Sequence, residues 1–360
     1  MLVHIEKSAY AFKLNGEPVS CEVCGSGHIN TTVKITTDTG AEYVLQRINK
    51  YVFKDPVRLM DNIGAVTEYL RQRVTDPRMA LHFIPAYDGR YYHVDEEGEY
   101  WRMYDFVGGF CLDMPETKED FYESALAFGR FQSMLAGFPA DTLFETLPEF
   151  HNTINRYRQF KEVVAKDPCG RLAGVKAEVD FLLEREELGG TLQRMRESGE
   201  LPLRVTHNDT KINNVLFHPE TSDAMIVIDL DTVMPGLMGH DFGDAIRFAA
   251  NFVEEDCPDL DKVGVNLEIF RAFAEGFLSK TAKTMTDKEV ETLALSCFVL
   301  TAELATRFLA DYLDGDLYFN IKSPDHNLVR TRCQIALAKD MLKKMDEMEQ
   351  IVRDCVAAAK

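Results

Sequence analysis

Basic residues are scarce in this chain. Forty Lys and Arg stand against 59 Asp and Glu, for a formal net charge of −19. That deficit argues against nucleic acid and anionic membranes as partners, because both need a basic footprint. A phosphate ligand stays compatible, since a few local cations and a metal can reverse the field inside a cleft. Long hydrophobic runs are missing too: none approaches the ~20 residues that span a bilayer. The start, from Met1 to Lys7, lacks the basic and apolar regions of a secretory signal, so a cytoplasmic protein is expected. Cysteine motifs are few. Of eight cysteines only Cys21 and Cys24 form a CxxC, and without a second CxxC or a histidine pair zinc is not expected. They read as two small strand residues in a reduced compartment. Tryptophan occurs once, at Trp101.

What is present is enough for a two-lobed protein: 360 residues, 46% of them hydrophobic. Asn30–Thr37 and Tyr43–Ile48 are β-rich and separated by Asp38-Thr39-Gly40, which predicts a hairpin. Asp55-Pro56 starts a helix that runs to about Arg73. Tyr91–Val94 and Tyr100–Val107 read as a second hairpin, and Gly108-Gly109 breaks the pattern. Beyond it, apolar spacing predicts helices near 117–137, 149–166, 174–198, 259–281, 286–313 and 326–358, with a strand-rich island from Leu203 to Thr232. The expected class is α+β. A small β-rich N-terminal lobe, 1–107, is expected to end in a hinge, followed by a larger helical C-terminal lobe, 108–360, that holds the polar loop and acidic strand end described next. This resembles the bilobal protein-kinase-like fold.

Chemistry concentrates in Thr206-His207-Asn208-Asp209-Thr210-Lys211-Ile212-Asn213-Asn214. Phosphoryl transfer needs a carboxylate near the attacking hydroxyl and an amide oxygen on a metal, and it gains from a nearby cation. Asp209, Asn214 and Lys211 match those roles. The apolar strand Ala224–Ile228 then ends in Asp229, a suitable ligand for magnesium, which takes one or two carboxylates plus phosphate oxygens and water. A hairpin through Pro219–Asp223 would bring Asn214 and Asp229 together. Asp241-Phe242-Gly243 is a rival metal motif, but the helical pattern that follows suits Asp241 better as a helix cap or a brace for the catalytic loop.

The nucleotide side reads less sharply. Gly25-Ser26-Gly27-His28 is the phosphate-loop candidate, because glycines let backbone amides approach an anion. The strand lysine that pairs with ATP is absent; Gln46 and Arg47 stand there on opposite faces. Arg47 is the preferred cation, with Glu68 as its ion-pair partner; alternatively Gln46 holds the lysine position and another basic group compensates. Asp105 to Val107 is the span expected to meet adenine through its backbone.

His207-x-Asp209-x4-Asn214, followed by Ile228-Asp229-x-Asp231, resembles the aminoglycoside phosphotransferase and choline kinase superfamily. More narrowly, blocks such as Gly25–Thr32, Leu45-Gln46-Arg47-Ile48-Asn49, Thr206–Lys211, Ile228–Thr232 and Arg307–Leu313 resemble the N-acetylhexosamine 1-kinase family. The resemblance implies transfer of phosphate from ATP, with Mg2+, to the anomeric hydroxyl of N-acetylglucosamine or N-acetylgalactosamine. It implies Asp209 as base and substrate contact, Lys211 near the γ-phosphate, Asn214 and Asp229 on magnesium, and Asp244, Arg307 and Tyr318 at the sugar. Read from the residues alone, the chain is a kinase of a small hydroxyl compound. Choline, homoserine, an aminoglycoside or another sugar remain open as acceptors, and a catalytically dead module is the outlying possibility.

Overall fold

Inward-facing Val33 and Ile35 alternate with more exposed neighbours, and opposite them Leu45 and Met103 face the same core and set the register of the first sheet. The structure is a computed structural model that describes residues 7–24, 29–112, 115 and 117–360. In chain order the elements begin with β1 (Pro18–Val23), β2 (Thr31–Thr37), β3 (Glu42–Ile48), α1 (Pro56–Arg71), β4 (His93–Val94) and β5 (Tyr100–Asp105). There follow α2 (Lys118–Met134), α3 (Thr153–Lys166), α4 (Lys176–Leu183), α5 (Glu186–Gly189), α6 (Thr191–Glu197) and β6 (Arg204–Thr206). The chain continues with β7 (Val215–Phe217), β8 (Ala224–Val227), β9 (Met234–Gly236), α7 (Met238–Ala249), α8 (Leu267–Thr281), α9 (Asp287–Asp314), α10 (His326–Lys343) and α11 (Met345–Ala359). Five strands form one antiparallel sheet in the order β1-β2-β3-β5-β4, while β6 pairs β9 and β7 pairs β8. The fold is α+β, with the sheet towards the N-terminus and helices dominating the C-terminal part.

The chain divides into two compact units. The first comprises Met1–Cys111, Gly137–Pro148 and Leu216–Met234; the second comprises Leu112–Ala136, Glu149–Val215 and Pro235–Lys360. In the first, Phe12, Val33, Ile35, Leu45, Trp101 and Met103 form the core beneath the sheet. Helix α1 starts as its sequence predicts: the Asp55 side chain accepts the Arg58 amide at 3.1 Å, and Pro56 occupies the first turn.

In the second unit, α9 is the central helix and packs against α3, α7, α10 and α11. A capping box of Thr286 and Glu289 starts it, and Gly315, at φ +102°, ends it. By length and composition α9 could cross a membrane, since an 18-residue window has mean hydropathy 1.6, but 78% of that window is buried inside the fold. Its apolar content is that of a core helix, broken in sequence by Glu303 and Arg307, which is why it does not read as a continuous run. Gly243 lets α7 lie close to it: a Cβ there would stand 2.6 Å from the Ser296 carbonyl oxygen.

Three helix boundaries differ from the sequence expectation. The 174–198 helix is broken into α4, α5 and α6; Gly189 sits against the Tyr157 ring, a tertiary contact that periodicity does not reveal. The 259–281 helix starts only at Leu267, where the Asn266 side chain accepts the Glu268 and Ile269 amides. The 326–358 helix breaks at Lys344, whose ammonium is drawn to the Val265 carbonyl at 2.9 Å and to Asp340 at 2.8 Å.

Candidate functional site

In the helical unit, β6 delivers the chain into the loop His207–Lys211. His207 is fully buried and meets Phe128 and Phe131 edge-on. Asn208 turns left-handed at φ +64°, a conformation Asn tolerates. Asp241 holds this turn from below. Its carboxylate accepts the His207 amide at 3.0 Å, the Asn208 amide at 2.8 Å and the Gln132 side chain, while its carbonyl accepts the Thr210 hydroxyl at 2.7 Å. Asp241 is therefore the brace of the loop and not a helix cap. Burial pushes its carboxyl up, against the pull of those amides.

Asp209 comes out of the turn with 30% of its side chain exposed. Lys211 Nζ lies 2.9 Å from its Oδ1. Asn214 Nδ2 donates to the Asp209 carbonyl at 2.8 Å and carboxylate at 3.1 Å, which leaves Asn214 Oδ1 as the amide's acceptor atom. Burial draws the Lys211 ammonium down, but the Asp209 and Asp244 carboxylates outweigh it and hold it above its ordinary value. Asp244 is buried, paired with Arg247 at 2.8 Å and close to the Thr210 amide at 3.3 Å. Burial pushes its carboxyl up, and Arg247 more than offsets that, holding it below the usual range. Of the two carboxylates, the partly exposed Asp209, beside the Lys211 cation and the Asn214 amide, is the one a hydroxyl can reach, whereas Asp244 is held ionised in its pair with Arg247.

In the sheet-bearing unit, Asp229 follows β8. It is exposed and left-handed at φ +56°, a conformation that costs on the order of 1 kcal/mol away from glycine. Asp231, two residues on, points inward to Arg102 and Asn30. Gln46 and Arg47 do lie on opposite faces of β3. Gln46 joins Thr32 and Arg102 at 3.0 Å each, whereas Arg47 Nη2 meets the Thr31 hydroxyl at 3.2 Å. The expected Arg47–Glu68 pair is not formed: Glu68 accepts the Tyr91 hydroxyl, whose phenol is pushed up to about 12 by that bond. Asp105 ends β5 paired with His82 at 2.8 Å, and Val107 follows in irregular backbone. The glycine loop Gly25-Ser26-Gly27-His28 lies outside the described residues.

Arg307, on α9, makes no hydrogen bond or ion pair among the described residues. Its guanidinium lies 5.6, 5.8 and 5.4 Å from the rings of Phe150, Tyr318 and Phe319. The charge of Arg307 also acts on the buried Glu303 carboxylate one turn away, and Tyr318 is 74% exposed. Nearby Glu303 bonds His151 at 3.2 Å. A cavity of about 460 Å³ in the same unit is lined by Phe121, Arg247, Phe248, Phe252, Glu255 and Arg330, within the range of small-molecule sites. Arg307 and Tyr318 do not line it. A wider groove of about 610 Å³, beside Arg271 and Gln350, contains none of the candidate residues.

Among the described residues no group of three or more His, Cys, Asp or Glu could hold a metal. That excludes a closed protein cage there. Asp229, in the sheet-bearing unit, presents an exposed carboxylate, and Asn214, in the helical unit, keeps its amide oxygen as an acceptor; oxygens of these two kinds are what magnesium takes, alongside phosphate and water. Sequence reasoning missed Arg102, Arg247 and the inward role of Asp231. The signal for Arg102 was available: an arginine inside the apolar strand Tyr100-Trp101-Arg102-Met103-Tyr104 demands a buried partner.

Residues 20–271 match the phosphotransferase enzyme family, APH. Among solved structures, the fold is similar to a microcompartment-associated aminopropanol kinase, at 17% identity over 97% of this chain and 99% of that one, TM-score 0.66. It is also similar to an aminoglycoside phosphotransferase from Alicyclobacillus acidocaldarius subsp. acidocaldarius, at 12% identity over 97% and 96%, TM-score 0.61. A third likeness is to the amicoumacin kinase hAmiN in complex with AMP-PNP, Ca2+ and Ami, at 14% identity over 92% and 91%, TM-score 0.60. At these identities the structural likeness speaks for a kinase-like fold. The family match covers most of the chain, the His207–Lys211 loop and Asp229 included, and on it the chain belongs to the APH phosphotransferase enzyme family.

Proposed function

We propose that this protein is a Mg-ATP-dependent small-molecule kinase that phosphorylates the anomeric hydroxyl of an N-acetylhexosamine. The observation that carries the kinase reading is the Asp209 carboxylate, presented between Lys211 and Asn214 on a loop braced by Asp241. Asp209 orients the acceptor hydroxyl and takes its proton as the new O–P bond forms and the bond to the ADP leaving group breaks. Lys211 neutralises charge on the transferred group. Asp229 is the main magnesium ligand and Asn214 assists; magnesium, when bound, neutralises phosphate charge. The nucleotide belongs to the sheet-bearing unit, through Gly25, Ser26, Gly27, His28, Arg47, Asp105 and Val107. Glu68 drops out as a partner of Arg47. The AMP-PNP and Ca2+ of the amicoumacin kinase complex support nucleotide and divalent-metal use here. Asp244, Arg307 and Tyr318 are proposed acceptor contacts, on the strength of the sequence resemblance and of the guanidinium held open over three rings. A cytoplasmic location goes with an ATP donor.

The −19 charge favours one other reading, a polycationic acceptor such as an aminoglycoside. A panel of hydroxyl acceptors with ATP and Mg2+, read by an assay that locates the phosphate, decides between them. Turnover of N-acetylhexosamines to 1-phosphates supports the proposal; turnover confined to amino-alcohols or aminoglycosides overturns its acceptor.

A further inference from the structure

Arg102 sits mid-strand in β5, directly across the β3–β5 register from Gln46. Only 2% of it is exposed, and its partner Asp231 is 3% exposed. A guanidinium buried to that degree must be paired and hydrogen-bonded. Its Nη1 bonds Asp231 Oδ1, and its Nε donates to Gln46 Oε1 at 3.0 Å. Gln46 is fixed in turn by donating to the Thr32 hydroxyl at 3.0 Å. Asp231 Oδ2 accepts from Asn30 Nδ2 at 2.7 Å, and the Asp231 carbonyl accepts the Thr146 hydroxyl at 3.1 Å. Two residues on, the Val233 carbonyl accepts Asn62 Nδ2 at 3.1 Å. The short turn Leu230–Thr232 is thus tied to β3 and β5 through Arg102, to α1 through Asn62, and to the segments around Asn30 and Thr146.

Asp229 opens that turn, exposed and left-handed. A non-glycine residue persists in this conformation when its surroundings over-determine it, and a metal-binding carboxylate works only if held in place. The two aspartates of Asp229-Leu230-Asp231 divide the work: Asp231 faces the sheet and Asp229 faces solvent. Stability alone is a weak reason for the Arg102–Asp231 pair, because apolar residues of similar volume often replace a buried ion pair without loss.

We propose that Arg102 is a positioning residue for the divalent-metal site: gripping Asp231 and Gln46 together, it locks the turn that aims the Asp229 carboxylate. This rests on the reading of Asp229 as a metal ligand. Arg102 does not touch the metal; it acts through Asp231 and the Leu230–Thr232 turn.

The test is Mn2+ affinity in the ternary complex with AMP-PNP, followed by water-proton relaxation, with thermal unfolding measured beside it. Arg102→Met combined with Asp231→Leu removes both charges and keeps volume. We expect its melting temperature to stay near that of the parent while Mn2+ binds about tenfold or more weakly, the range of outer-shell losses at metal sites. Parent-like Mn2+ affinity in that folded variant overturns the proposal. Should the double variant not fold, Arg102→Lys takes its place. An ammonium cannot hold a planar fork to both Asp231 and Gln46, so Mn2+ should bind severalfold more weakly, and unchanged affinity again overturns the clamp. Asp229→Asn in the same titration separates the two claims. If it abolishes Mn2+ binding while the Arg102 variants bind normally, the ligand assignment stands and the positioning role fails. If it binds Mn2+ like the parent, both fail.

Discussion

At Asp209 a partly exposed carboxylate is proposed to carry the chemistry, while its neighbours hold the loop. Asp209→Asn should therefore melt close to the parent, yet lose about 10²–10⁴-fold in kcat, the usual worth of a general base. A folded variant with near-parental kcat in a coupled ADP-release assay would falsify the role. Arg307 differs, because among the described residues its guanidinium meets three rings and makes no hydrogen bond or ion pair. Arg307→Ala gives up its contact with three rings, on the order of 0.5–1 kcal/mol for a cation–π site, together with the pull of its charge on the buried Glu303 carboxylate. It should raise the acceptor KM well above any change in the ATP KM, and equal rises in both would remove Arg307 from the acceptor site. Sequence patterns made Asp209, Lys211 and Asn214 legible because all three lie within one short loop. Arg102 and Asp231 stayed illegible as a pair, since 129 residues separate them and only tertiary structure joins β5 to the turn after β8.

Helix α7 shows how one element serves a loop it does not belong to. Its first turn presents Asp241 to the amides of His207 and Asn208, and its next turn presents Asp244 to Thr210. Asp241→Asn replaces an acceptor of two amides and a side-chain donor with a group that also donates. It should cost about 1–3 kcal/mol of stability, the penalty for a poorly satisfied buried group, and lower kcat, while activity still titrates with Mg2+. Loss of the metal response in a folded Asp241→Asn protein would hand the metal role to the Asp-Phe-Gly string. Gly243 in the same helix is a packing residue. Gly243→Ala drives a methyl group to 2.6 Å from the Ser296 carbonyl, so denaturant unfolding should show a loss of about 1–3 kcal/mol from overpacking. Helices with a cap and a clean apolar stripe, such as α1, α3 and α9, were legible from spacing. The breaks at Gly189 and Lys344 were not: Gly189 lies against Tyr157 and Lys344 reaches the Val265 carbonyl, contacts that spacing does not reveal.

Over the whole chain, net charge makes the acceptor question a physical one. A chain of charge −19 attracts a polycation at long range. That attraction weakens as salt shortens the Debye length from about 10 Å at 0.1 M to about 3 Å at 1 M. An uncharged N-acetylhexosamine feels no such field. At saturating ATP and Mg2+, kcat/KM for the acceptor should therefore stay nearly flat as salt is raised from about 0.1 M towards 1 M. An aminoglycoside acceptor would show a steep fall. Regiochemistry gives a second, independent reading. The 1-phosphate should couple phosphorus to the anomeric carbon in NMR and should no longer behave as a reducing sugar. Capping the anomeric oxygen as a methyl glycoside removes the nucleophile, so that compound should not be turned over. Turnover of the methyl glycoside would send the phosphate to another hydroxyl. The protein would then remain a phosphotransferase of this family with a different acceptor position, and Asp209 and Asp229 would keep their proposed roles, because neither depends on which hydroxyl Asp209 deprotonates.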